Sequence, residues 1–374
     1  MTEVVLFEEL STSSGHRIGV ATLNSEKSLN ALSLAMIQQL QPQLRAWQQD
    51  DGIVAVWLQG AGEKAFCAGG DIVAMYNAMR AQPGELVAEV ADFFSQEYRL
   101  DYLIHTFKKP LLVWGHGIVM GGGMGLMNGG SHRIVTERSL LAMPEVTIGL
   151  YPDVGATRFL NDMPAGCGLF LGLTGAHLNA ADAQFLNLAD HFLHSSQRGE
   201  ALAALTVLEW QGGEHGAANC QRVTEALKQL GASTTEQPQS QVQAQLATIQ
   251  QWTDATDVEQ VVASILSYDG DDKWLTRARA NLAHGCPLTA HIVWNQLAHG
   301  SDLSLADCFR LELTLSTNCA VRGDFAEGIR ALLIDKDKQP KWQHESVAAV
   351  TAAELDNYFK SPWQSGEHPL ADLA

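Results

Sequence analysis

Basic residues are scarce in this chain: 24 Lys and Arg stand against 42 Asp and Glu, a formal net charge of −18 over 374 residues. That balance argues against a nucleic-acid partner and against anionic membrane surfaces, both of which would repel so acidic a protein. Cysteine is sparse as well. Cys67, Cys167, Cys220, Cys286, Cys308 and Cys319 are scattered with no C-x-x-C pair, so neither a zinc site nor a disulfide framework is indicated. No uninterrupted apolar run reaches the length of a membrane span. The opening MTEVVLFEEL has neither an apolar signal core nor an arginine-rich amphipathic pattern. These absences lead to the expectation of a soluble protein of a reducing cytoplasm, without membrane association. Two fingerprints are missing too. The G-x-G-x-x-G spacing of a nucleotide loop fails at Leu126, and there is no G-x-x-x-x-G-K-[ST]. Ser131 is followed by His132-Arg133 without the closing glycine of a serine-hydrolase elbow.

What is present centres on residues 110–153. The apolar run Leu111–Trp114 is followed by Gly115-His116-Gly117, by Ile118-Val119-Met120, and then by Gly121, Gly122 and Gly123. Strand, glycine loop and helix in that order bring backbone N–H groups close to something outside the chain, at the positive end of a helix. Glycine turns of this kind also serve as packing devices, so glycine count alone does not decide between the two. A second unit of the same design lies upstream. Val54–Gln59 reads as a buried strand, Gly60–Asp71 as a glycine-rich loop, and the stretch to Arg80 as a helix. Two such loops can each offer one N–H to the same oxygen, which is how a two-donor oxyanion hole is assembled. Glu145 beside Pro144, and Asp153 beside Pro152, then end apolar runs and add the carboxylates that activation of water requires.

Along the chain, residues 1–200 alternate strands and helices. Val4–Phe7 and Arg17–Leu23 suggest a hairpin. Ser33 caps a predicted helix to about Trp47, with a kink or break expected at Pro42. Arg133–Thr136 and Leu140–Met143 read as strands, and Gly166–Leu173 and Ala180–Ala189 as helices. Residues 201–374 are mainly helical: Glu200–Trp210, Asn219–Leu230, Val242–Tyr268, Leu288–Leu297, Leu303–Thr317, Asp324–Leu333 and Ala352–Phe359, with the polar stretch Gly231–Gln241 as a linker or exposed loop. The 46% hydrophobic content is enough to bury a substantial core.

FCAGGDI at 66–72, HGIVMGGGMGL at 116–126 and MPEVTIGLYPDVG at 143–155 resemble the crotonase (enoyl-CoA hydratase/isomerase) superfamily. SLNAL at 28–32 is similar to its N-terminal signature, although Glu26 stands where many members have proline. FFSQEY at 93–98, the Pro-Asp pair at 152–153 and DFAEGIRALLIDKDKQPKW at 324–342 bring the resemblance nearest to the branch that hydrolyses 3-hydroxyisobutyryl-CoA. The resemblance covers nearly the whole chain. It implies an α/β fold: a crotonase-like spiral of ββα units over residues 1–200, with a C-terminal helical region over 201–374 packing on that core. It also implies an acyl-CoA substrate in valine degradation and no separate cofactor, coenzyme A being part of the substrate. A homo-oligomer is left open. An enoyl-CoA hydratase or isomerase, and a non-catalytic acyl-CoA-binding protein, are the alternatives.

The resemblance assigns roles residue by residue. Gly70 and Gly122 match the two oxyanion donors, each such donor being worth about 3 kcal/mol of barrier. Glu145 matches the catalytic glutamate, as nucleophile towards the thioester carbonyl or as general base on water. Asp153 would contact the acyl hydroxyl and help position water or the leaving thiol. Gly125 stands where two-glutamate hydratases carry their second glutamate, so that acid–base group is missing. Glu97 matches a substrate contact, against the plain reading of a helix-surface charge. Ala68, in the first loop, counts with the substrate-binding positions. Lys27 and Lys64, beside the signature loops, are candidate partners for the anionic coenzyme, or else solvated surface charges. Asp71 reads as a helix cap, Cys67 as a small buried hydrophobe, and His116 and His132 as hydrogen-bonded core histidines.

Overall fold

The computed structural model describes residues 3–232 and 237–374. The polar stretch Gly231–Gln241 lies partly outside the described residues. Packing separates two compact units. One comprises Met1–Gly70, Leu100–Leu141 and Leu178–Gln243; the other comprises Asp71–Arg99, Ala142–His177 and Ala244–Ala374. Each draws segments from both sides of residue 200.

The strands are, in chain order, β1 (Val5–Ser11), β2 (Arg17–Leu23), β3 (Ile53–Gly60), β4 (Ala65–Cys67), β5 (Leu111–Gly115), β6 (Ile118–Met120), β7 (His132–Val135), β8 (Leu140–Ala142) and β9 (His191–Phe192). The helices that bear most on the site are α1 (Leu34–Gln49), α2 (Ile72–Ala81), α3 (Ala88–His105), α4 (Gly122–Asn128) and α5 (Ala156–Asn161). Together they make the mixed α/β architecture expected from the alternation in the sequence.

In the first unit six strands form one sheet in the order β1-β2-β3-β5-β7-β9, and β4-β6-β8 form another. The expected hairpin is there: β1 and β2 pair antiparallel from Val5 opposite Leu23 to Ser11 opposite Arg17. From β2 onward the larger sheet is parallel. A parallel strand is covered on both faces and so reads as a continuous apolar run; in β3 every residue except Gln59 is buried. Trp57 of β3 and Trp114 of β5 stack with ring centroids 5.7 Å apart. They join Ile18, Val20 and Ile134 in a core completed by Ala201, Leu205, Val223 and Leu227. The last four come from the helices Arg198–Thr206 and Gly216–Gly231.

Several expected boundaries moved. α1 starts at Ser33, whose side chain accepts the Met36 N–H, but it runs on through Pro42 without a break. Met36, Ile37 and Leu40 before the proline, and Leu44 and Trp47 after it, are all buried. That shared burial outweighs one lost backbone hydrogen bond, a penalty of about 3 kcal/mol in a helix interior. The helix at Ala180 stops at Phe185, because Asn187 takes the left-handed region at φ 57°. The one expected over Glu200–Trp210 is Arg198–Thr206, with the Trp210 indole donating to the Leu205 carbonyl at 2.7 Å.

The second unit is helical. Val242–Tyr268 resolves into Gln241–Ala244, Leu246–Thr253 and Val258–Leu266, the last capped by Asp257 accepting the Gln260 N–H at 2.9 Å. Lys273–His284, which sequence reading missed, begins at Asp272, whose carboxylate accepts the N–H groups of Trp274 and Leu275. The helix Leu305–Val321 of this unit is buried along most of its length. Among the described residues no helix is long and apolar enough to cross a membrane.

Candidate active site

In the first unit the two glycine loops run side by side. β4 and β6, which feed them, pair in parallel, Ala65 with Ile118 and Cys67 with Val119. A Cβ on Gly123 would stand 2.3 Å from the Cys67 carbonyl oxygen, so only glycine lets α4 start this close to the first loop. Gly69 has φ +113°, and its Cβ would lie 3.6 Å from the Met120 carbonyl oxygen. Gly122 is the first residue of α4, after Gly121 at φ 48° and ψ −122°. The opening N–H groups of a helix have no acceptor inside it. Gly70 bridges Leu32 just past the end of β4. The structure thus brings together the two loops whose similarity the sequence displayed. Ala68 donates to the Leu29 carbonyl at 3.1 Å. Lys27 and Lys64 are exposed, and Gly125 is buried within α4.

The non-catalytic assignments in this unit agree with the sequence. Cys67 is buried. His116 Nε2 lies 3.0 Å from the Gly62 carbonyl. His132 Nε2 lies 3.1 Å from the Cys220 carbonyl and 3.0 Å from the Thr224 hydroxyl. Burial pushes the His132 imidazole down to about 4, so it is neutral and serves packing.

The second unit gathers the carboxyl groups. Glu97 lies on α3, Glu145 opens the 3-10 turn Glu145–Ile148, and Asp153 follows four residues after Gly149. They are only 2%, 5% and 4% exposed, so Glu97 is no helix-surface charge. Burial raises all three above the ordinary carboxylate range, and repulsion from neighbouring carboxyl charges adds to it for Glu97 and Glu145. Glu97 is raised well above by burial and then by the charges of Asp153 and Glu145. Glu145 is raised by burial and by Asp153. Asp153 is pushed up by burial to about 6. Glu145 Oε2 is buried with no hydrogen-bond partner, an unusual state for a native polar atom and one that a reacting group would relieve. Among the described residues no group of His, Cys, Asp or Glu is arranged to hold a metal ion.

Four residues that sequence reasoning passed over complete this neighbourhood. The Tyr98 hydroxyl lies 2.6 Å from Asp153 Oδ2 and 2.6 Å from Ser316 Oγ. Ser316 Oγ lies 2.8 Å from the Tyr151 hydroxyl, which donates to the Glu312 carbonyl at 2.6 Å. The Glu312 carboxylate accepts the N–H of Gly155 at 2.7 Å and of Thr157 at 2.8 Å. It thereby fixes the turn after Asp153, where Val154 and Gly155 take φ 54° and 90°. Burial pushes Glu312 up to about 8 against those two donors. One signal was readable: Glu312 stands alone in the apolar helical run LELTL.

The buried carboxyls carry a stability cost with a definite sign. A carboxyl whose folded value is raised binds its proton more tightly in the folded state. Its contribution is complete below the unfolded value and is lost as pH rises through the folded one. Glu97→Gln removes one such group, so the variant should melt above the parent by a few degrees at alkaline pH. The gap should widen as pH rises from the ordinary carboxylate range. Thermal melts across that range check it; a gap independent of pH would show that Glu97 is ordinarily ionised in the fold.

The family model for "Enoyl-CoA hydratase/isomerase" matches residues 18–359. A protein of Danio rerio named "3-hydroxyisobutyryl-CoA hydrolase, mitochondrial" is 39% identical over 96% of this chain and 89% of its own length. The Homo sapiens protein of the same name is 38% identical over 92% of this chain and 86% of its own. Among solved structures, an enoyl-CoA hydratase from Rhodobacter sphaeroides superimposes with a TM-score of 0.82 at 30% identity, covering 96% of this chain and 98% of that one. A carnitinyl-CoA dehydratase from Mycobacterium thermoresistibile does so with 0.83 at 34%, covering 96% and 97%. A fold shared over nearly the full length, reached independently through sequence and through backbone, places this chain in the enoyl-CoA hydratase/isomerase family.

Proposed function

We propose that this protein hydrolyses 3-hydroxyisobutyryl-CoA to 3-hydroxyisobutyrate and free coenzyme A, a step of valine degradation. The relatives that carry this activity in their names match over nine-tenths of the chain. The observation that carries the chemistry is Glu145: buried, raised in pKa, and holding one carboxyl oxygen without a partner. Such a group is suited to attack a thioester carbon or to take a proton from water. The Gly70 and Gly122 N–H groups are proposed to hold the thioester oxygen as it gains charge. Glu97 and Ala68 are taken as substrate contacts, and the exposed Lys27 and Lys64 as partners for the anionic coenzyme. No separate cofactor takes part. The scattered spacing of the six cysteines, with no C-x-x-C pair, suits a reducing cytoplasm.

The hydratase reading lacks a second carboxyl on α4, where Gly125 stands. Mixing the protein with a small panel of acyl-CoA thioesters and following free thiol separates the readings. Thiol should appear with 3-hydroxyisobutyryl-CoA and faster than with isobutyryl-CoA, since a site built to bond a hydroxyl rejects the analogue lacking it. Loss of enoyl absorbance without thiol would mark a hydratase, and binding without turnover a carrier.

A further inference from the structure

The hydroxyl groups around Asp153 form a single unbranched chain, and its direction can be worked out from one end. The Glu312 carbonyl is an acceptor only, so the Tyr151 hydroxyl spends its one proton there, at 2.6 Å. Tyr151 can then only accept from Ser316, 2.8 Å away. Ser316, its proton used, can only accept from Tyr98 at 2.6 Å. Tyr98 lies 2.6 Å from Asp153 Oδ2 and would donate to an ionised carboxylate there. With its proton already used towards Ser316, it is left to accept from Asp153 instead. Four oxygen–oxygen contacts need four protons, and the three hydroxyls supply three. The fourth belongs to Asp153. With Asp153 ionised, one of these short contacts would have no proton in it and would set two oxygen lone pairs against each other.

We propose that Tyr98, Ser316 and Tyr151 are positioning residues that favour the protonated form of Asp153 in the resting protein, making it a proton donor for the site. The surroundings agree from every side. α3 contributes Glu97 and Tyr98; the stretch leading to Asp153 contributes Glu145 and Tyr151; the helix Leu305–Val321 contributes Glu312, Ser316 and Cys319, and none of these supplies a positive charge. Glu312 anchors both ends of the arrangement, taking the last proton on its carbonyl and the Gly155 and Thr157 N–H groups on its carboxylate. What the proton is for rests on the hydrolase reading. As the carbon–sulfur bond of the thioester breaks, its electron pair goes to sulfur, sulfur takes the Asp153 proton, and free thiol leaves. The Asp153 carboxylate then recovers a proton from the water that completes hydrolysis. That the proton is present does not rest on the reading.

The test is a pH titration of protein labelled with 13C at the aspartate carboxyl carbons, without substrate, with Asp153→Asn identifying the signal. Asp153 should titrate apart from and above the other aspartates. In Tyr151→Phe, Ser316 is free to donate to Tyr98 and Tyr98 to Asp153, so every contact is satisfied with Asp153 ionised. Its midpoint should fall by about one pH unit or more. Ser316→Ala should lower it likewise, because Tyr98 then has Asp153 as its sole partner. Tyr98→Phe removes the donor that an ionised Asp153 would need and should not lower it. The Tyr151 hydroxyl bonds to the Glu312 carbonyl and to Ser316, not to Asp153. Loss of its repulsion alone would be smaller than the shift expected here, so a purely local or packing role predicts little change in the first variant. An Asp153 midpoint among the ordinary aspartates in the parent, or one unmoved by both Tyr151→Phe and Ser316→Ala, would overturn the proposal. Since no thioester is present, the result is independent of whether the protein proves to be a hydrolase.

Discussion

Glu145→Gln should lower thiol release from 3-hydroxyisobutyryl-CoA by at least about a hundredfold, the scale of a lost nucleophile or general base. Glutamine keeps the volume of the side chain at a site only 5% exposed, so the packing around the 3-10 turn should survive. What is lost is chemical: an amide neither forms a mixed anhydride with the acyl group nor takes a proton from water. Stability should not suffer, since a buried carboxyl raised in pKa by burial and by Asp153 gives way to a neutral group. Calorimetric titration with a non-hydrolysable thioether analogue should show binding close to that of the parent. A folded Glu145→Gln protein that turns over at a near-normal rate would remove Glu145 from the chemistry. Loss of binding along with turnover would give it a structural role instead.

The sequence displayed those parts of the site that are local. Strand, glycine loop and helix follow one another within a dozen residues, so both loops could be read, and the parallel pairing of β4 with β6 confirmed their kinship. The apolar runs marked β3 and β5 because parallel strands are buried on both faces. The hydroxyl chain was not readable. Tyr98 and Ser316 are 218 residues apart, and neither residue type announces a partner at that distance. Glu97 was ambiguous for the same reason: helical spacing does not tell which face of α3 is covered. Lys273–His284 escaped notice although Asp272 precedes it as a cap, with Trp274, Leu275, Ala278 and Leu282 as its buried residues. Pro42 was over-read, because a local rule about helix interiors yields to burial on both sides of it. The resemblance to a family carried the roles of single residues, which no periodicity supplies.

Gly122→Pro isolates one hydrogen-bond donor, and the fold makes it a cleaner experiment than a proline substitution usually is. Gly122 is the first residue of α4, the position where proline is best tolerated, since its missing N–H has no acceptor in the helix and its fixed φ suits the first turn. The substitution therefore removes the proposed oxyanion donor while α4 keeps its own hydrogen bonds. Removing one such donor costs roughly 10²–10³ in turnover, and thiol release should fall on that scale with the circular dichroism unchanged. Gly122→Ala is the companion variant: it adds bulk at the same buried position and keeps the N–H. If the proline variant loses far more activity than the alanine variant, the loss belongs to the donor. If the two fall alike, side-chain bulk at the loop explains it and the N–H of Gly122 is not what holds the thioester oxygen. A folded Gly122→Pro protein with full activity would take this loop out of the oxyanion hole altogether.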